Sequence, residues 1–191
     1  MMQVSVDGYF EGPDRELDWG LVDEPLHQHF NDELGAMSAF LGGRVTWELM
    51  AAYWPTADAD PSANAVEKEF AGIWRDMPKI VYSTTLERAD WNTTIARSVV
   101  PADVLALKAL PGGDMVLGGA ELGAEFARLG LVDEYRLYVH PVVLGRGRPL
   151  FPSSDTPVGL TLLEARVFDN GVVLLRYQPA ETSPHEPIPG G

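Results

Sequence analysis

The 191-residue chain contains no cysteine. Disulfides, thiolate metal sites and thiol catalysis are therefore excluded. Long apolar runs are missing as well: none approaches the roughly 20 residues needed to span a bilayer. The first residues, MMQVSVDGYF, lack a basic segment followed by an apolar stretch, so no secretory signal is read and a cytoplasmic location is expected. Basic charge is scarce. Lysine and arginine together number 14 against 28 acidic residues, a net charge of −14. Such a surface repels nucleic-acid phosphates, so the expected partner is a small molecule, with neither nucleic acid nor membrane involved.

What is present is an ordinary globular composition, 46% hydrophobic and 22% charged, in a chain long enough to bury one core. A short strand over Gln3–Val6 stops at the turn pair Asp7-Gly8. Residues 7–23 read as a long loop with Gly12-Pro13-Asp14 inside it and Trp19 near its end. Leu26, Phe30, Leu34 and Met37 then make one apolar helix face. Ala39-Phe40-Leu41 is a buried strand ending at Gly42-Gly43, followed by a short helix with Trp47 and Leu49. A loop over 52–64, a helix at about 65–75 and a strand at Ile80-Val81-Tyr82 come next. Further on lie a strand at Thr93–Ala96, a helix over 101–110 with Pro101 as its first residue, and a strand at Met115-Val116-Leu117 ending in Gly118-Gly119. Leu122, Phe126 and Leu129 give the following helix its inner face. Tyr135, Leu137 and Val139 alternate with Arg136, Tyr138 and His140 in a half-buried strand. Asn170-Gly171 signals a closing hairpin of about 158–168 and 172–178. Alternating strands and helices closed by a hairpin predict an α/β fold, mostly parallel with an antiparallel edge. The folded domain is expected over 1–178, with the proline-rich residues 179–191 as a disordered tail.

Three strand ends carry the chemistry, because helix N-termini there present free amides to anions. At Gly42-Gly43-Arg44-Val45-Thr46, Arg44 offers a charged fork, and Thr46 serves either as helix cap or as phosphate ligand. At Tyr82-Ser83-Thr84-Thr85, three hydroxyls suit a phosphate or a capped turn alike. Gly118-Gly119-Ala120-Glu121-Leu122 fits close ligand approach or tight packing. None of these is a G-x-G-x-x-G fingerprint. No metal site is expected: His27 and His29, two apart on a helix, point to different faces. His140, on a strand face, is expected to be structural.

Taken together and in order, these segments resemble the dihydrofolate reductases and, more closely, the reductase domain of the bifunctional riboflavin-biosynthesis deaminase-reductases. The match is carried by GRVTWE at 43–48, VSVDG at 4–8, VYST at 81–84, VLGG at 116–119, and Val132–Tyr135 through His140-Pro141-Val142-Val143-Leu144-Gly145-Arg146-Gly147. The resemblance implies a three-layer αβα fold and NADPH as cofactor. It implies that Gly43, Arg44 and Thr46 bind cofactor phosphates and that Ser83 and Thr84 lie by the 2′-phosphate. Gly118 and Gly119 would then admit the pyrophosphate to the amides of Ala120, Glu121 and Leu122. On the substrate side it implies an acid five residues after Trp19, at Glu24 with Asp23 beside it, and a substrate-contacting loop at Asp7-Gly8. Trp19 and Trp47 would line the pocket. The implied activity is that of a 5-amino-6-(5-phosphoribosylamino)uracil reductase working as a homodimer. Dihydrofolate reductase, or a nucleotide-binding module without turnover, are the alternatives.

Overall fold

The structure is a computed structural model that describes residues 1–151, 153 and 157–180. In chain order the first elements are β1 (Met2–Ser5), β2 (Tyr9–Glu11), α1 (Glu24–Gly35), β3 (Ala39–Gly43) and α2 (Arg44–Tyr53). A 3-10 segment (Trp54–Ala59), α3 (Ala65–Asp76), β4 (Lys79–Tyr82), β5 (Thr93–Ala96) and α4 (Pro101–Lys108) follow. The remainder is β6 (Met115–Leu117), α5 (Ala120–Arg128), β7 (Tyr135–His140), β8 (Arg148–Pro149), β9 (Leu160–Val167) and β10 (Val173–Pro179). The chain forms two compact units, one of residues 22–131 and one of residues 1–21 with those from 132 onward.

The 22–131 unit is built on a fully parallel sheet in the order β5-β4-β3-β6. Leu41 and Val81 are buried on it. On α3, Val66, Phe70 and Trp74 recur every four residues and are buried, so one face of the helix is withdrawn from water. Asn64 and Glu67 close the start of α3 as a reciprocal capping box. Its end is closed differently. The buried Lys79 ammonium donates to the carbonyls of Trp74 and Met77, which satisfies acceptors that a helix C-terminus leaves open. Burial lowers the Lys79 pKa to about 8. On α1 the expected apolar face is shorter than its spacing suggests: Leu26 and Phe30 are buried, whereas Met37 lies beyond the helix end. Asn31 joins the buried side and donates to Val66 O at 2.9 Å, tying α1 to α3. On α5, Phe126 alone is buried.

The other unit holds a sheet in the order β1-β7-β10-β9, with β1 parallel to β7 and the rest antiparallel. The hairpin β9–β10 is the one that Asn170-Gly171 signals. One expectation needs correction. The 7–23 loop contains β2, which pairs with β8 through Tyr9↔Pro149 and Glu11↔Arg148, so irregular chain begins only at Gly12. Of the two faces of β7, the deeper is that of Tyr138 and His140, which are fully buried, while Tyr135, Leu137 and Val139 are half-buried. Alternation separates the two faces of a strand without saying which faces inward, and here both carry apolar residues. The 135/137/139 face continues across the sheet with rising exposure. In one cross-strand row Val4 is 4% exposed, Val139 and Val173 are intermediate, and Val167 is 73% exposed. Finally, β10 runs to Pro179, opposite Leu160, and Ala180 N–H donates to Gly159 O. The rest of the expected tail, 181–191, lies outside the described residues.

Candidate active site

The strand order of the parallel sheet fixes where a ligand would sit. From β3 the chain moves outward to β4 and β5, then returns to β6 on the other side of β3. The order therefore reverses between β3 and β6, and open α/β sheets bind ligands beyond the carboxyl ends of the strands at such a point. The helices that start there are α2 and α5. Both have glycine at the N-cap, Gly43 and Gly119, and neither has a side-chain cap. By contrast, α1 and α3 are capped by Asp23 and Asn64. The starts of α2 and α5, with their positive dipole ends, thus carry no side-chain cap, and such helix starts suit an anion.

Glycine is required here in two senses. Gly119 has φ of +91°, which side chains disfavour, and a Cβ on it would lie 3.2 Å from Thr46 Oγ1. That short distance brings Thr46 and Gly119 together across the reversal point. At Gly42, Gly43 and Gly118 a Cβ would meet nothing within 4 Å, so the protein's own packing does not require these glycines. Arg44 heads α2 and lies against Glu48 in a two-pronged pair at 2.9–3.0 Å. The pair is half exposed, and exposed pairs of this kind contribute little to stability.

One strand over, Ser83 is spent locally: its Oγ accepts from Thr85 N–H at 3.2 Å and Leu86 N–H at 2.9 Å. Thr84 is exposed beside it. A basic group stands at the next strand end: Arg97, the residue after β5. Its Nη1 donates to Ser83 O at 3.0 Å and Leu86 O at 2.7 Å, leaving the Nε and Nη2 side of its fork to another acceptor. Since β5 pairs with β4, the signal was present in the strand assignment: Arg97 stands at the fourth strand end, and only three were read. Arg97, Ser83 and Thr84, Arg44, and Gly118-Gly119 thus line one sheet edge in strand order, at neighbour spacings of about 5 Å.

The substrate-side candidates are engaged in structure. Asp23 is the N-cap of α1, accepting from Leu26 N–H at 3.0 Å. Glu24 is the first helical residue and is exposed. Trp47 anchors α2 to the sheet by donating its indole N–H to Thr93 Oγ1 at 3.1 Å. In the other unit, the Asp7 carboxylate accepts from Leu144 N–H at 3.1 Å and Gly145 N–H at 2.7 Å. The Ser5 hydroxyl, together with those amides, holds the Asp7 pKa below the ordinary carboxylate value. Trp19 is half-buried against His140. Among the described residues no group of three His, Asp or Glu is placed to hold a metal. Nor, among them, is any helix long and apolar enough to cross a membrane.

The sequence and the fold match known proteins. Residues 1–174 match the RibD C-terminal domain family. The chain belongs to that family. It is a reductase domain of the RibD type. A relative in Bacillus subtilis (strain 168), the uncharacterized protein YyaP, is 37% identical over 177 residues, covering 92% of this chain and 91% of that one. A Shewanella sp. PV-4 structure named for riboflavin biosynthesis superposes with a TM-score of 0.70 at 18% identity, over 94% of this chain and 96% of that one. Dihydrofolate reductase from Enterococcus faecalis, solved with NADP(H), matches with a TM-score of 0.59 at 20% identity over 93% of each chain. The RibD-type domain therefore has the dihydrofolate-reductase-like fold.

Proposed function

We propose that this RibD-type domain is a cytoplasmic NADPH-dependent reductase of a small heterocyclic metabolite, with a phosphoribosylamino-uracil as the substrate class. The observation that carries the reading is the meeting of two glycine-capped, otherwise uncapped helices at the strand-order reversal. The residues fit the cofactor. Gly43, Gly118 and Gly119 leave room for a pyrophosphate, and the amides of Ala120, Glu121 and Leu122 together with Thr46 would hold it. Arg44 would exchange Glu48 for phosphate. Arg97, with Ser83 and Thr84 alongside, supplies the positive charge that favours a 2′-phosphorylated nucleotide. NADPH, when bound, supplies the hydride; the protein supplies position and electrostatics.

Glu24 is the acid for substrate protonation, because Asp23 is committed to its cap and Asp7 to the 144–145 amides. That commitment also favours a second reading, a nucleotide-binding module without turnover, which differs only in its substrate half. The working unit is a homodimer. Its interface is the apolar face bearing Leu137, Val139, Leu175, Leu162 and Val167, whose exposure grows toward β9.

Titration calorimetry with NADPH tests the cofactor half. Arg44→Ala should weaken binding by about tenfold to a hundredfold, the loss of a charge-assisted contact of roughly 1.5–3 kcal/mol. Equal affinities would remove Arg44 from the site, and no binding by the unaltered protein would overturn the reading.

A further inference from the structure

His140 ends β7 with none of its surface exposed, and the proposed reduction does not use it. Its ring makes one hydrogen bond, in which Nδ1 accepts from Leu21 N–H at 2.9 Å, while Nε2 is buried without a partner. Leu21 is held from its other side too, because Asn170 Nδ2 donates to Leu21 O at 3.2 Å. Trp19 packs perpendicular to the imidazole, with ring centroids 5.5 Å apart. A Cβ on Gly20 would come within 3.7 Å of His140 Cε1. Three consecutive residues, 19–21, thus rest on one imidazole.

An accepting Nδ1 fixes the tautomer: the proton is on Nε2 and the ring is neutral. A second proton would turn Nδ1 into a donor aimed at a donor, so protonation and the Leu21 bond exclude each other. The charged groups on the surrounding elements are Asp7 beyond β1, Asp14, Arg15, Glu16 and Asp18 in the loop, Asp169 in the β9–β10 turn, and Arg136 on β7 and Arg176 on β10, both paired with Glu134. None of them bonds the imidazole; Asp7 is taken up by Leu144 and Gly145, and Glu16 by Asp14 N–H. Burial holds the His140 pKa below its ordinary value.

We propose that His140 is a proton-operated latch on the 19–21 segment: neutral, it holds Trp19, Gly20 and Leu21 against β7, and protonated it releases them. The latch goes beyond the reductase reading and does not depend on it. Because the folded pKa is depressed, the latch contributes fully above the unfolded value of about 6.5. Its contribution is lost as pH falls through the folded value.

The test is amide hydrogen exchange by NMR on the free protein from pH 8 to 5, corrected for intrinsic exchange, together with the ring nitrogen shifts of His140. At pH 8, Nδ1 should read as the unprotonated nitrogen and Leu21 N–H as protected. On acidification, Leu21 protection should fall by about tenfold, one hydrogen bond's worth, in step with His140 protonation, while amides of β3 and β4 hold. His140→Asn keeps an acceptor near the Nδ1 position and cannot titrate, so Leu21 should stay protected across the range. His140→Ala should leave Leu21 open at every pH; if it does not fold, the wild-type titration and the Asn variant still decide. Protonation of His140 with no change at Leu21, or an unchanged pH dependence in His140→Asn, would overturn the latch. A separate NADPH titration at pH 8 judges the cofactor reading independently.

Discussion

The cofactor-side and substrate-side candidate residues differ in how much of their polar chemistry the fold itself consumes. At the edge of the parallel sheet, a Cβ on Gly43 or Gly118 would meet nothing within 4 Å, α2 and α5 start without side-chain caps, and Arg44 lies in a half-exposed pair. Among the substrate-side candidates, Asp23 caps a helix, Trp47 pins another to its sheet, and Asp7 braces a loop. Helix starts without a side-chain cap offer their amides to anions, and two such starts with glycine at the N-cap stand at this strand-order reversal. A carboxylate with its partners in place carries no such implication.

The largest expected effect tests the one substrate-side acid with no structural duty. Glu24→Gln should lower turnover by about 10²–10⁴-fold, the usual contribution of a general acid, with NADPH affinity nearly unchanged. Asp23→Asn, which keeps a capping oxygen, should lose little; the reverse pattern would move the role one residue. Next, Gly118→Val puts branched carbons into the space that the protein leaves open. NADPH affinity should fall by about a hundredfold, the loss of two pyrophosphate contacts, with little change in melting temperature. A large drop in stability instead would mean that packing requires this glycine after all. Arg97→Ala should cut the preference for NADPH over NADH by about tenfold, read from the ratio of the two affinities, and an unchanged ratio would remove Arg97 from the 2′-phosphate. The smallest effect belongs to Asp7→Asn. The folded pKa of Asp7 is depressed, so its stabilisation is present above about pH 4 and vanishes as pH falls through the folded value. Melting curves of variant and wild type should therefore differ slightly at pH 7 and converge in acid.

Much of this was legible in the sequence. Helices, strands and the closing hairpin follow from spacing and turn residues, and the glycine pairs at 42–43 and 118–119 do stand at the ends of β3 and β6. What stayed hidden depended on partners distant in the chain. Ser83 reads identically whether its hydroxyl meets a phosphate or the amides of Thr85 and Leu86. Arg97 became meaningful only once β5 was seen to pair with β4. The inward side of β7 was decided by Ser5, His140 and Leu174 gathering on one face, which no local pattern reports. β2 escaped because three residues paired with a two-residue partner are too short for any period to register.

The bulge that interrupts β9 opposite Arg176 and Tyr177 bears on how the protein behaves at high concentration. An outermost strand with Leu160, Leu162, Leu163 and Val167 exposed is the kind of surface on which chains polymerise by adding strand to strand. The extra residue at Leu163 breaks the regular row of amides and carbonyls that such growth copies. The rim of the sheet is thereby a poor template for strand addition, and concentrated solutions should stay clear instead of gelling.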